Sequence, residues 1–272
     1  MQVSQIMVEP TTIDKDQRLS YALDLLEKNK TDRLVVTQNG ELTGILTYAD
    51  IADRLGVSKV VAISISRLHV SSAMTSTVIT VHPDDDITDV CKLMIERGMS
   101  GCPVLNHDED VVGVIGKFDI TRLIQKFEEI PVKELMTRKD LLVANPVDRL
   151  IKARLDMLNE GVSGLPVTDG RRVLGLLTEK LVAQAMARFS VEVPDKHKAN
   201  QIRKIRVVDA MLKQPPLVHS DTPISKVAER MLEENLNTFP VVEEGNELIG
   251  IISTTDFTIF AANKFQLPEK TE

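Results

Sequence analysis

The sequence predicts an α/β fold of the α+β type, made of four copies of one βαββα unit, and three observations predict it. A seven-residue junction recurs at Gly44-Ile45-Leu46-Thr47-Tyr48-Ala49-Asp50, Gly113-Val114-Ile115-Gly116-Lys117-Phe118-Asp119, Gly175-Leu176-Leu177-Thr178-Glu179-Lys180-Leu181 and Gly250-Ile251-Ile252-Ser253-Thr254-Thr255-Asp256. An apolar run that stops at a capping hydroxyl reads as a strand running into a helix. Pro103-Val104, Pro166-Val167, Pro240-Val241 and, in the first unit, Leu34-Val35 lie nine or ten residues upstream of those glycines, and each pair opens an apolar strand. Met7, Met74, Met136 and Met211 close short amphipathic lead-ins such as Val132-Lys133-Glu134-Leu135-Met136. Units 2 and 4 superpose without a gap: one offset of 137 residues relates Met74 to Met211, His82 to His219, Pro103 to Pro240 and Asp119 to Asp256. A register kept over a whole unit marks a repeat array.

The elements follow in order. In repeat 1 a short strand near Thr11-Thr12-Ile13 precedes a helix over 19–28, whose Leu19, Ala22, Leu23, Leu25 and Leu26 recur at helical spacing. Strands over 34–37 and 42–47 flank Asn39-Gly40, a hairpin signal because both residues tolerate positive φ. A helix over 48–55 completes the unit. The connection from Gly56 to His69 has no clear periodicity and reads as a packed linker. Repeat 2 gives a strand over 78–81, a helix over 87–97, strands over 102–105 and 111–115, and a helix from Phe118. Repeat 3 gives a strand over 141–144, a helix over 147–159, strands over 165–168 and 173–177, and a helix to about Phe189. Val191 to Arg206 departs from the pattern with Pro194 and a basic run, and reads as a solvated linker. Repeat 4 spans Val207 to about Lys264, and Gln266 to Glu272 is a polar tail.

Composition narrows the function. Apolar residues make up 43% of the 272 and charged residues 27%, as in a soluble protein with packed cores. Aromatics are 3% with no Trp, which argues against base-stacking platforms. A net charge of −7 opposes polyanionic partners at long range. Cys91 and Cys102 lack metal or redox spacing and read as small buried residues in a reducing compartment. With neither a leader pattern at the N-terminus nor an apolar run of about 20 residues, the expected location is the cytoplasm. Nucleophile elbows, P-loops, His-Glu-x-x-His and strand-linked Gly-x-Gly-x-x-Gly are all missing, so an enzyme is not expected.

The four units, with their Met-ended lead-ins, Pro-Val strands and Gly-apolar-apolar-Ser/Thr-x-x-Asp junctions, resemble CBS domains, and the resemblance covers almost the whole chain. It implies repeats at 1–56, 68–127, 130–190 and 205–265, paired into Bateman modules at 1–127 and 130–265 that form a pseudo-fourfold disc. That arrangement is similar to the gamma subunit of AMP-activated protein kinase and to stand-alone archaeal and bacterial four-CBS proteins. It also implies a non-catalytic sensor with no required cofactor, whose clefts bind AMP, ADP, ATP or S-adenosylmethionine and which signals to a regulated protein. Discs of this family often pair as homodimers.

At each junction a carboxylate three residues after the hydroxyl can accept from both hydroxyls of a ribose, while the hydroxyl and free helix N–H groups face a phosphate. Thr47 with Asp50, and Ser253 with Asp256, keep both parts. Repeat 2 keeps Asp119 but has Gly116 for the hydroxyl, with Lys117 as a phosphate contact or a solvated side chain. Repeat 3 keeps Thr178 but has Leu181, so its cleft is expected to be empty or altered. The same pattern at a helix start is also a capping box, which needs no ligand. By the resemblance, the first strand of the partner unit adds Thr80 to Asp50, Thr12 to Asp119 and Val143 to Asp256. His82 and His219, just after that strand, are phosphate or water contacts or simply solvated turns. The kinase subunit's phosphate-binding Arg, three residues before the strand Pro, is replaced at Thr31, Ser100, Ser163 and Asn237, which disfavours a triphosphate relative to AMP or a cationic ligand. Arg33, Arg171 and Arg172 stand nearby. Two other readings remain: a scaffold with vestigial clefts, and nucleic-acid binding through the basic segment at 196–206, which the acidic total disfavours.

Overall fold

The computed structural model describes residues 1–57 and 63–264. The middle of the 56–69 connection and the polar tail from Gln266 lie outside the described residues. Repeat 1 contains β1 (Thr12–Asp14), α1 (Leu19–Lys28), β2 (Arg33–Gln38), β3 (Glu41–Thr47) and α2 (Tyr48–Gly56). β1 runs parallel to β2, and β2 antiparallel to β3. Asn39 and Gly40 close that hairpin with φ of 55° and 90°. α1 buries Leu19, Ala22, Leu23 and Leu26, the stripe read from its spacing. Repeat 2 supplies α3 (Ile87–Glu96), β4 (Gly101–Leu105), β5 (Val111–Gly116) and α4 (Lys117–Ile124). Repeat 3 supplies α5 (Leu150–Glu160), β6 (Gly164–Asp169), β7 (Arg172–Thr178) and α6 (Glu179–Glu192). After α7 (Asp195–Gln201), repeat 4 runs through α8 (Val207–Ala210), β8 (Leu212–Lys213), β9 (Val218–His219), α9 (Ile224–Glu234), β10 (Thr238–Val242), β11 (Leu248–Ser253) and α10 (Thr254–Lys264).

Three expectations are corrected. The segments 78–81 and 141–144 are not strands but single parallel bridges, Val81 to Val104 and Ala144 to Val167. The proline beside each removes one ladder bond, as Pro240 does in repeat 4, where β9 survives only through the further pairing of His219 with Val242. In repeat 1 the amide of Val35 donates to Thr11 O at 2.9 Å, a bond that Pro103 and Pro166 cannot make. The α5 helix begins at Leu150 rather than 147, because the Asp148 carboxylate accepts from the amide of Asn145 and holds a turn there. The 191–206 segment is largely exposed, as a solvated linker would be, but it is helical rather than irregular and one of its charges is buried. It extends α6 and forms α7, and Lys198 is 1% exposed with its ammonium 2.7 Å from Asp195.

The hairpins share one register, with Val36, Val104, Val167 and Val241 opposite Gly44, Gly113, Gly175 and Gly250. The position of Pro103 therefore corresponds to Val35 in repeat 1, one residue beyond the Leu34 of the sequence alignment.

Each lead-in crosses to a neighbouring repeat. Val8 bridges Val114, Thr75 bridges Ile45, Thr137 bridges Ile251, and β8 pairs with β7. The preceding methionines follow. A Cβ built on Gly113, Gly44, Gly250 or Gly175 would lie only 2.7, 2.8, 2.9 or 2.6 Å from the sulfur of Met7, Met74, Met136 or Met211. Glycine is required there because the thioether occupies the side-chain space, and the exchange joins repeat 1 to repeat 2 and repeat 3 to repeat 4. Helices join the pairs: α2 packs on α6, and α4 on α10. The largest apolar core accordingly mixes repeats 1 and 3, from Leu26 and Ile51 to Leu177 and Met186. No helix among the described residues is long and apolar enough to cross a membrane.

Candidate ligand clefts at the strand-helix junctions

The four junctions converge on one cavity of about 320 Å³. The residues that open the helices, Tyr48, Lys117, Glu179 and Thr254, line it, as do Asp32, Ser100, Ser163 and Asn237 from the turns before the second strands. Backbone bonds tie the two sets together. Lys117, Glu179 and Thr254 donate to the carbonyls of Ser100, Ser163 and Asn237 at 2.9, 3.2 and 2.9 Å. With the corrected register the fourth member of the turn set is Asp32, not Thr31. An acid thus stands where the kinase subunit pattern has a phosphate-binding arginine.

Local capping sets the first and fourth clefts. In repeat 1, Asp50 Oδ2 accepts from the Thr47 amide at 2.7 Å and the Thr47 hydroxyl at 2.6 Å, and the Asp50 amide donates back to Thr47 Oγ1 at 3.3 Å. In repeat 4, Asp256 Oδ2 accepts from Ser253 N and Oγ, both at 2.7 Å. The cap uses one carboxylate oxygen. Among the described residues the other, Oδ1, meets a neutral hydroxyl: Thr75 at 3.2 Å from Asp50 and Thr137 at 3.4 Å from Asp256. Burial raises both carboxyls above their ordinary range, against the hydrogen bonds that lower them.

The hydroxyls Thr75 and Thr137 come from the crossed lead-ins, one residue past Met74 and Met136, and sequence reasoning missed them. The signal was the Met-Thr pair, absent from Met7-Val8 and Met211-Leu212. Thr80 and Thr12 make no hydrogen bond to Asp50 or Asp119 among the described residues. Thr80 is half-buried beside the Val81 bridge, Thr12 is exposed on β1, and Val143 is 41% exposed. His82 Nδ1 lies 3.0 Å from Leu105 O and its ring stacks on His107, while His219 is exposed at the end of β9, its amide bonded to Thr222.

The second cleft is built differently. Asp119 Oδ2 accepts from Gly116 N at 2.8 Å, but Oδ1 is held by Arg122. Arg33, 3% exposed, reaches across from repeat 1: its Nε donates to Asp32 at 2.9 Å and its Nη1 approaches Ile115 O at 3.4 Å. A Cβ on either Gly101 or Gly116 would overlap that guanidinium. The missing hydroxyl at Gly116 is therefore space taken by Arg33. Burial works to lower the Arg33 pKa, but the charge and hydrogen bond of Asp32 together with the charge of Asp119 outweigh it, and the guanidinium stays firmly charged. In the third cleft Thr178 accepts from Leu181 N at 3.3 Å, a plain cap without a carboxylate. Arg171 pairs with Glu247 at 2.7 Å on the surface, and Arg172 lies in the β6–β7 hairpin opposite Asp169.

Across the cavity, Lys117 Nζ donates to Thr255 Oγ1 at 3.0 Å, one residue from Asp256. Its pKa is lowered by burial and then by Arg33. Glu179, at the start of α6, is pushed up to about 7 by burial, then by the charges of Asp50 and Asp32. Lys180 lies over the Tyr48 ring, 5.9 Å from its centroid.

The CBS domain profile matches residues 3–57, 70–126, 132–188 and 207–262. Protein MJ1225 of Methanocaldococcus jannaschii is 26% identical over 269 residues, covering 92% of this chain and 93% of its own length. Its crystal structure, described as a candidate archaeal homologue of g-AMPK, covers 96% of this chain and 99% of its own with a TM-score of 0.83 at 24% identity, which shows the fold. A conserved protein of Pyrococcus horikoshii covers 96% of this chain and 99% of its own with a TM-score of 0.63 at 18% identity. A homoserine O-acetyltransferase of Methanosalsum zhilinae is 30% identical over 115 residues, 42% of this chain but only 23% of that enzyme. With the profile matched four times, in the order in which the four junctions fold, the chain belongs to the CBS domain family.

Proposed function

We propose that this chain is a non-catalytic sensor that binds adenosyl ligands in its first and fourth clefts and passes their occupancy to a protein partner. One observation carries the reading: among the described residues, Asp50 and Asp256 each keep an oxygen free of the cap and of any ion pair, beside a threonine hydroxyl. Such an oxygen accepts from a ribose diol, and the neighbouring helix N-terminus suits a polar 5′ substituent. The second and third clefts stay empty, because Arg122 holds the equivalent oxygen in one and Leu181 offers none in the other. ATP and ADP bind more weakly than smaller adenosyl compounds, since Asp32 stands at an arginine position.

Titration calorimetry on ligand-free protein with adenosine, AMP and S-adenosylmethionine tests this. Two equivalents are expected, falling to one in Asp50→Ala and one in Asp256→Ala. Absence of heat and of any melting shift with all three compounds would favour a scaffold, the reading supported by the two altered clefts. A ligand present at 100 times its dissociation constant stabilises by about 2.7 kcal/mol, well within reach of a melting experiment.

A further inference from the structure

Resting on that adenosyl reading, we infer that the first and fourth clefts select opposite charges on the ligand: the first takes an adenosyl compound with a neutral or cationic 5′ substituent, the fourth one with a 5′ phosphate. The two clefts are alike within their own repeats, each with a hydroxyl cap, an aspartate and a lead-in threonine. They differ in what the opposite pair of repeats sends across the cavity. Because α2 packs on α6, the residue opening α6 stands beside the first cleft, and it is Glu179. Because α4 packs on α10, the residue opening α4 stands beside the fourth, and it is Lys117, fixed 3.0 Å from Thr255 Oγ1.

The other charges near the first cleft are largely paired. Asp32 is held by Arg33 and Asp53 by Arg154, and Lys180 is drawn over the Tyr48 ring, which leaves Glu179 as the charge that faces Asp50. Near Lys117 stand the Arg33 guanidinium, Glu179 and Asp256. No ion pair joins Lys117 to Glu179 among the described residues, so neither charge is cancelled by direct contact. The carboxyl of Glu179 is raised by burial, then by Asp50 and Asp32 of the first cleft, while Lys117 answers to Arg33 and Glu179 before Asp256, so its assignment to the fourth cleft rests on the contact with Thr255. A phosphate held at Asp256 gains Lys117, while one held at Asp50 meets a second carboxylate in a partly desolvated space.

Calorimetry at pH 8 and low salt, with adenosine, AMP and 5′-amino-5′-deoxyadenosine, tests the assignment in full-length single-cleft variants. In Asp50→Ala, which leaves the fourth cleft, AMP is expected to bind about tenfold more tightly than adenosine. In Asp256→Ala, which leaves the first, that order reverses by a similar factor and the amine binds best. Adding Lys117→Met to the first variant, or Glu179→Gln to the second, brings each AMP-to-adenosine ratio towards one. The same ratio in both single-cleft variants, with adenosine bound by each, overturns the charge assignment and leaves the sensor reading standing. No adenosine binding by either variant, nor by the parent chain, overturns both.

Discussion

Asp256 and Asp119 stand 137 residues apart at equivalent places, and each gives one oxygen to the amide three residues before it. Their second oxygens have different fates. In the fourth cleft that oxygen meets the hydroxyl of Thr137, while in the second Arg122 holds it and Arg33 fills the space left by Gly116. The comparison separates two jobs that the sequence motif fuses. Capping a helix takes one carboxylate oxygen, and accepting a ligand takes the other, so a complete cap does not argue against a binding site.

The strongest test of this contrast is to give repeat 2 the hydroxyl it lacks. Gly116→Thr is expected to destabilise by about 3 kcal/mol in denaturant unfolding, because the new side chain displaces a buried guanidinium. Arg33→Ala combined with it is expected to cost well under the sum of the two single changes, since the residues compete for one space. Full additivity would break the pairing of Arg33 with Gly116.

The next effect is on pH dependence. Glu179 holds its proton more tightly folded than unfolded, so its contribution to stability falls as pH rises from the ordinary carboxylate range to about 7 and is level above that. A loss of about 3 kcal/mol is expected across that window, and Glu179→Gln should flatten it in melting curves taken from pH 5 to pH 8. A slope unchanged in the variant would show that the proton resides elsewhere.

Smaller again is the cap itself. Asp256→Ala is expected to cost about 1 kcal/mol in ligand-free protein and one equivalent of ligand, whereas Asp119→Ala leaves the ligand count unchanged. Smallest is Ser253→Gly, which imitates repeat 2 without supplying an Arg33. It should cost a few tenths of a kcal/mol in unfolding, glycine being a tolerable cap.

Much of the fold was legible because it depends on local rules. The α1 bounds, the Asn39-Gly40 turn and the two intact caps follow from spacing and capping chemistry within a few residues. What escaped depends on residues far apart in sequence. Thr75 and Thr137 matter only because their lead-ins cross to another repeat, and Arg33 explains Gly116 only across 83 positions. The first strands of repeats 2 and 3 were overread: each keeps a single bridge to a strand that opens on Pro103 or Pro166, prolines that the sequence displayed but whose missing amide was not weighed. Lys198 in the basic segment was misread for a related reason: a charge pattern does not show that Asp195 will bury one member of it.

The exchange of methionines onto glycines bears on how such a chain can be inherited. Met7 seats in repeat 2 and Met74 in repeat 1, and Met136 and Met211 trade places in the same way. A gene rearrangement that removed one repeat would strand a thioether without its seat and leave a glycine groove with nothing to fill it. One that copied a couple of adjacent repeats would carry every seat along with its occupant. The unit that keeps every seat filled is thus the couple of adjacent repeats rather than the single one.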